Sequence, residues 1–553
     1  MAKTSWKKLF MIIAAIALIL IMTALVFSRF FLPQIITTAV QKNLQTQFEK
    51  QRSGFYEITV TRAVMELNPL CIVFPSISIA PRLQDMSEIA QETLPNNIIS
   101  VRADNLRLSP TALFSLARKK QHRNLARIHL GFLDLEISHN PASLDTLPSP
   151  SAPEKIWSIR CDDFSIARAF LQYNFLSDTI ENIFFADNIS VATSISIKKE
   201  EYGEKPRIEF PAINLHTGSL GFTPTNSLYK YSSDGISFDG RASTLTASNL
   251  KITPLYDEHE FQNHITHQTD MANVLIKSVT FSGLEIHPLI NENILSCRHI
   301  SIEGGEADIF RDRSLTLDLQ RRPLMPVRRI QEAPFFVDIA TLSLENFSII
   351  YSERPENKTT KGYVDFRELS ASLRNISNLP EKLQNDSLMT IEARAQVFGS
   401  AMLKAGFVYN LKDSSGGFTA KGELERLNFS AINPALVPLT GIKIEAGTHH
   451  HSLFHFSGND FHASGTLQMR YQGLALDLEP SGSQIRRTIV GWLGRNLVYH
   501  PHNPATNSNL RIGTIDFERD PSRFVFHYWW NAYLTGIKHS VLRDNASIII
   551  NNP

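Results

Sequence analysis

Apolar and polar residues alternate along short stretches of this chain, the alternation slips by one residue, and it then resumes. Val101 and Ala103 are followed by Leu106 and Leu108, with Asp104-Asn105 at the slip. Leu245/Ala247 and Leu250/Ile252 flank Asn249, and Val279/Phe281 and Leu284/Ile286 flank Gly283. Leu342/Leu344 and Phe347/Ile349 flank Asn346, and Met469/Tyr471 and Leu474/Leu476 flank Gly473. Fainter copies are Ile159/Cys161/Phe164/Ile166, Ile208/Phe210/Ile213/Leu215 and Val364/Phe366/Leu369/Ala371. Side chains of a strand repeat every two residues, so each half segment has one apolar and one polar face. An uncorrected slip would turn the second half inside out. A bulge or a tight turn at the Asn or Gly returns both halves to one side. The pattern predicts a mainly β chain whose many strands share one apolar surface.

The first residues carry a different signal. Lys3, Lys7 and Lys8 precede an uncharged apolar run from Leu9 to Phe27, and Arg29 follows it. At about 1.5 Å per residue such a run is long enough to cross a hydrocarbon core of roughly 30 Å. A cleaved signal peptide has a shorter apolar region ending in a small-x-small site, whereas this run ends in Val26-Phe27-Ser28-Arg29. We therefore expect an uncleaved anchor over residues 1–32, with the lysines cytoplasmic and the bulk of the chain across the membrane.

The formal net charge is +1 over 553 residues, which gives no electrostatic argument for nucleic acid. Cys71, Cys161 and Cys297 are distant and odd in number. They form neither a disulfide framework nor a metal knuckle, and their apolar neighbours predict buried thiols.

Along the chain, Ile36, Val40, Leu44 and Phe48 at four-residue spacing predict a linking helix over 33–54. A β-rich region follows over 55–335, with three strand–helix–strand units. Ser109-Pro110 caps a short helix carrying Leu113, Phe114 and Leu116; a second helix is expected over Ala167–Leu176, and a third at Pro288-Leu289-Ile290. Asn140–Glu154 reads as a loop, Arg321–Pro334 as a solvated connector and Glu353–Gly362 as a hairpin loop. A second β region spans 336–480. Residues 481–553 hold an amphipathic stretch around Trp492 and a terminal helix with Phe526, Trp529, Trp530, Tyr533 and Leu534. Trp and Tyr suit a membrane interface, and such a stripe equally suits a cap on a sheet end.

No P-loop, G-x-S-x-G elbow, H-E-x-x-H helix or dinucleotide fingerprint occurs, so no enzymatic activity and no cofactor are expected. His449, His451 and His455 share a strand parity compatible with metal binding. No acidic residue or Cys joins them at ligand spacing, so no metal site is assigned.

The arrangement resembles the AsmA-like family of bacterial envelope proteins. The resemblance rests on the N-terminal anchor, on amphipathic strands such as Tyr56-Glu-Ile-Thr-Val-Thr, and on the paired segments Val337–Glu353 and Gly362–Ile376. It also rests on Asn433–Gly447 with Gly465–Leu478, and on the ending Phe526–Ser540. It covers most of the chain, more closely from about residue 335 onward, through degenerate motifs. It implies an extended, curved, mostly antiparallel sheet forming a groove or elongated sandwich. It further implies a Gram-negative inner-membrane location with a periplasmic body, membrane phospholipid as partner, and a possible outer-membrane partner. The role implied is lipid transport between the membranes or outer-membrane biogenesis; the family transfers no catalytic residues. The slip residues are then candidate groove lining: Val101, Ala103, Leu106, Leu108, Leu245, Leu250, Ile252, Val279, Phe281, Leu284, Ile286, Leu342, Leu344, Phe347, Ile349, Met469, Tyr471, Leu474 and Leu476. Trp492, Phe526, Trp529, Trp530 and Tyr533 are candidate membrane-interface residues. The alternative is a scaffold whose apolar faces close on each other as an ordinary core.

Overall fold

The computed structural model describes residues 32–49, 55–82, 94–117, 121–143, 157–176, 180–199, 205–356, 358–399, 401–478, 499–504 and 509–542. The expected anchor over Leu9–Phe27, most of the loop ending at Glu154, and Trp492 with its amphipathic stretch lie outside them. No helix among the described residues is long and apolar enough to cross a membrane. The described chain is mainly β, with 25 strands, one helix of 18 residues and one of 17, and shorter helices between them. It forms two compact units, one of residues 1–227 and 232–242, the other of residues 228–231 and 243–553. The sequence division at 335 falls instead inside the second unit.

In the first unit α1 (Leu32–Glu49) precedes β1 (Tyr56–Val60), β2 (Val64–Leu67), β3 (Leu70–Pro81) and β4 (Asn97–Leu108). Then come α2 (Pro110–Ala117), β5 (His122–Asn124), β6 (Arg127–His139), β7 (Trp157–Leu176) and β8 (Ile180–Lys199). Short strands β9 (Arg207–Glu209), β10 (Asn214–His216) and β11 (Leu220–Phe222) all pair with β8. β12 (Tyr229–Ser233) begins among the residues of the second unit, and β13 (Gly235–Asp239) completes the first. Neighbours are antiparallel from β1 through β3 and β4 to β6, parallel at β6–β7, and antiparallel again at β7–β8. The stripe Ile36, Val40, Leu44 of α1 packs on a core that includes Phe74, Ile77 and Leu108. Ser109 Oγ accepts from the Ala112 N–H at 3.2 Å and starts α2 as expected.

The helix expected over Ala167–Leu176 is instead the second half of β7. Ala169 and Leu171 lie opposite Leu133 and Leu135 on one side, and opposite Ile189 and Ala186 on the other. Pairing on both flanks overrides a weak local preference for helix.

The second unit begins with β14 (Thr244–Pro254), α3 (Glu258–Asn263), β15 (Asp270–Ser282), α4 (Ile286–Asn291), β16 (Ile294–Asp312) and α5 (Pro326–Gln331). It continues with β17 (Phe336–Arg354), β18 (Gly362–Ser377), α6 (Pro380–Asn385), β19 (Leu388–Val397), β20 (Ala401–Asn410), β21 (Phe418–Leu424) and β22 (Leu427–Asn428). A 3-10 turn (Phe429–Ile432), α7 (Asn433–Thr440), β23 (Ile442–Gly458), β24 (His462–Leu478), β25 (Ile512–Glu518) and α8 (Val525–Val541) complete it. Strands pair in the order 14-15-16-17-18-19-20-21-23-24-25, antiparallel except β16 with β17. Pairing is therefore mixed in each unit, with β5–β7 and β6–β7 parallel in the first and β16–β17 in the second. The Arg321–Pro334 connector supplies the β16–β17 crossover and is pinned by Met325 and Val327, both fully buried.

The slips have a common structural cause. Asn105, Asn249, Asn346 and Gly473 all have left-handed backbone, with φ of 57°, 48°, 53° and 69°. Asn tolerates this region because its short polar side chain compensates locally, and Gly has no Cβ to clash. Register is unchanged across Asn105 and Asn249, so no residue is inserted there. The neighbours slip at the same level: Pro75 and Gly131 face Asn105, and a Cβ on Gly131 would lie 2.9 Å from that of Asn105. In the second unit Asn249, Lys277, Gly304 and Asn346 lie level across four strands. From Asn346 onward bulges do appear: two shifts between β17 and β18 that cancel, one between β18 and β19, and three between β23 and β24.

Gly283 departs from the pattern. Its positive φ of 70° ends β15, and Ile286 starts α4 rather than continuing a strand. The slip signature here marks an exit from the sheet. Ile208/Phe210 and Ile213/Leu215 likewise fall around a break between β9 and β10.

Candidate apolar lining

Directly paired residues of neighbouring strands point to the same side of a sheet. Following the pairs across the second unit gives one row: Leu245, Phe281, Ile300, Leu342, Leu373, Ile391, Phe407, Ala420, Phe456, Gly465, Ile515. It crosses eleven strands without a polar side chain. The adjacent row is Thr246, Thr280, Ser301, Ser343, Ser372, Glu392, Gly406, Lys421, His455, Thr466, Thr514. It crosses the same strands without an apolar one. At about 4.8 Å per strand the apolar row runs on the order of 50 Å along the sheet. Leu250, Ile276, Gly305, Phe347 and Leu369 form a further apolar row past the left-handed residues. Gly305 makes room there: a Cβ would stand 2.4 Å from the Phe347 ring.

The first unit repeats the arrangement through Ile58, Ile79, Val101, Leu135, Leu171, Ala186 and Leu220.

The candidate lining residues fall into three environments. Val101, Ala103, Leu106 and Leu108 of β4 join the cores against which α1 packs. Leu245, Leu250, Ile252, Phe281, Leu342, Leu344 and Ile349 stay half-buried although apolar neighbours flank them on adjacent strands, whereas Val279 and Phe347 are buried. Met469, Tyr471 and Leu474 of β24 are fully buried, and Leu476 beside them is half-buried. The Tyr471 hydroxyl donates to the His500 carbonyl at 2.8 Å, and its ring meets Phe429 edge-on at 5.8 Å. At β24 the expected lining is therefore ordinary core. Leu284 is buried in the turn after β15, and Ile286 sits on α4, so both leave the row.

The terminal helix α8 caps this same face. Trp529 stacks on Phe407, Tyr528 meets Phe418 edge-on, and Tyr533 meets Phe454 edge-on. Gly536 lets the helix approach Leu467 and Ile515, since a Cβ there would lie 2.8 Å from Leu467. Phe526 and Trp530 point outward, 66% and 47% exposed.

The histidines do not converge. A register shift between His449 and His451 places His449 opposite Tyr471 on the apolar side, while His455 faces Lys421 on the polar side. His449 is buried; its Nδ1 lies 3.1 Å from the Glu425 carbonyl and its Nε2 2.5 Å from Ser452 Oγ. A carbonyl only accepts, so Nδ1 carries the proton and Nε2 accepts from the hydroxyl. Burial pulls the His449 pKa down to about 4. Among the described residues no group of three or more His, Cys, Asp or Glu could hold a metal ion. The three cysteines are free and buried, and burial raises each thiol pKa.

No protein-family model matches this chain, and no curated protein matches it significantly.

Proposed function

We propose that this is a membrane-anchored envelope protein of the AsmA-like kind. In this reading its apolar sheet face carries phospholipid acyl chains between inner and outer membrane, or serves outer-membrane biogenesis. The observation that carries the reading is the row from Leu245 to Ile515, apolar across eleven strands yet half-buried over much of β14–β19. An apolar face this long is a liability in water unless something apolar covers it. Each acyl methylene removed from water contributes about 0.8 kcal/mol, so lipid cover needs no catalytic group. The apolar run ahead of α1 supports an inner-membrane anchor and a periplasmic body.

A second reading is a scaffold with a closed core. Its support is the β23–β25 end, where α8 and the residues around His500 fill the face with protein.

Lipid analysis of the full chain, with photoreactive residues at Phe281 and Leu344 and at their polar-side neighbours Thr280 and Ser343, separates the two. Transport predicts retained phospholipid and lipid adducts at Phe281 and Leu344 only. Absence of both leaves the scaffold.

A further inference from the structure

Around the start of α1 the first unit exposes apolar side chains that its core does not use. Leu67 and Leu70 pair at the tip of the β2–β3 hairpin, with Leu67 63% exposed. Phe114, on α2, is 64% exposed, and Val64, Leu116 and Ile35 are exposed too. They belong to one region of the unit. The Ala63 N–H, just before β2, donates to Thr37 Oγ1 on α1 at 2.8 Å. Ala63, Ala112, Leu113 and Ile36 share a single core cluster. Leu108 closes β4 opposite Ile72, two residues after Leu70 opens β3, so the hairpin tip and α2 lie at the same end of the sheet.

The sequence says what lies beside that end. The apolar run closes at Phe27, and α1 opens at Leu32. Five residue steps span at most about 17 Å of extended chain. Thr37 stands about 8 Å further along the helix, and the hairpin extends about 13 Å beyond Ala63. A bilayer holding the run thus has its surface within reach of Leu67 and Leu70. We propose that the β2–β3 tip and α2 form a foot that rests in the lipid interface beside the anchor. It orients the first sheet relative to the bilayer. This rests on the anchored reading above.

The test uses the full chain in liposomes, with an environment-sensitive fluorophore on Leu67→Cys or Phe114→Cys and a control on Leu453→Cys, which lies exposed on the second unit's sheet. Native Cys71, Cys161 and Cys297 are buried and little accessible to the label. Lipids carrying a nitroxide near the headgroup should quench Leu67 and Phe114 severalfold more than Leu453. Equal quenching at all three sites, in a chain that resists alkaline extraction, overturns the foot and leaves the anchor standing. Shielding of Leu67 from both nitroxide lipid and aqueous iodide means a protein covers it, which also overturns the foot. Release of the chain by alkali removes anchor and foot together.

Discussion

Phe407 of β20 and Trp529 of α8 stack with ring centroids 4.3 Å apart and planes 28° from parallel. The contact fastens the terminal helix to the row that elsewhere stays half-buried. It also turns inward one of the aromatic residues expected at a membrane surface. Trp529→Ala should destabilise the second unit by about 2–4 kcal/mol, read as a lower urea midpoint and faster proteolysis within α8. The Trp529 indole N–H is buried without an acceptor among the described residues. Trp529→Phe keeps an aromatic ring on Phe407 and removes that group, so it should be close to neutral.

Asn346 tests the left-handed level across the sheet. A β-branched residue at its φ of 53° meets a steric cost of roughly 1–2 kcal/mol. Asn346→Val should lower the melting temperature, and Asn346→Gly should hold or raise it. Equal effects of the two would place the cost in lost side-chain contacts instead of the backbone.

His449 predicts a pH dependence of known sign. Its folded pKa of about 4 lies below the unfolded value of about 6.5. The unfolded chain therefore binds the proton first, and stability falls as pH drops from about 6.5 towards 4. The loss is on the order of 3 kcal/mol once both forms are protonated. His527, also held down to about 4 by burial and nearby Arg523, adds in the same direction. Denaturation midpoints across this range should show a shallower slope in His449→Gln than in the parent chain.

Of the two faces of β15 and β17, the apolar one alone should respond to added charge. Phe281→Asp with Leu344→Asp should cut co-purified phospholipid severalfold. Thr280→Asp with Ser343→Asp, one residue away on each strand, should leave it unchanged. Loss of lipid in both double variants would mean that the sheet itself had been disturbed.

The strands, α1 and α8 are legible in the sequence because burial on one side imposes a period. The slips at Asn105, Asn249 and Asn346 are legible for the same reason. What they become is not, since the level agreement of Pro75 with Gly131, or of Gly304 with Asn346, depends on partners far away in sequence. Parallel and antiparallel strands share one side-chain period, which hides the parallel junctions at β6–β7 and β16–β17. The same limit let β7 pass for a helix after Ile166. A bulge between His449 and His451 reverses parity at a point no alternation marks. Burial of Met469 and Tyr471 depends on α8 and on residues near His500, which the strand's own pattern does not mention.

The level of left-handed residues gives the second sheet a common datum. Each strand from β14 to β17 is cut to the same mark, with one stretch above it and one below. Such a sheet lengthens by repeating whole strand pairs, because a new pair needs to match only that mark to join every row. One residue gained or lost within a single strand, by contrast, puts that strand out of step with both neighbours. The reach of the apolar face is thus set by how many strands are added, and its continuity by how strictly each one keeps the mark.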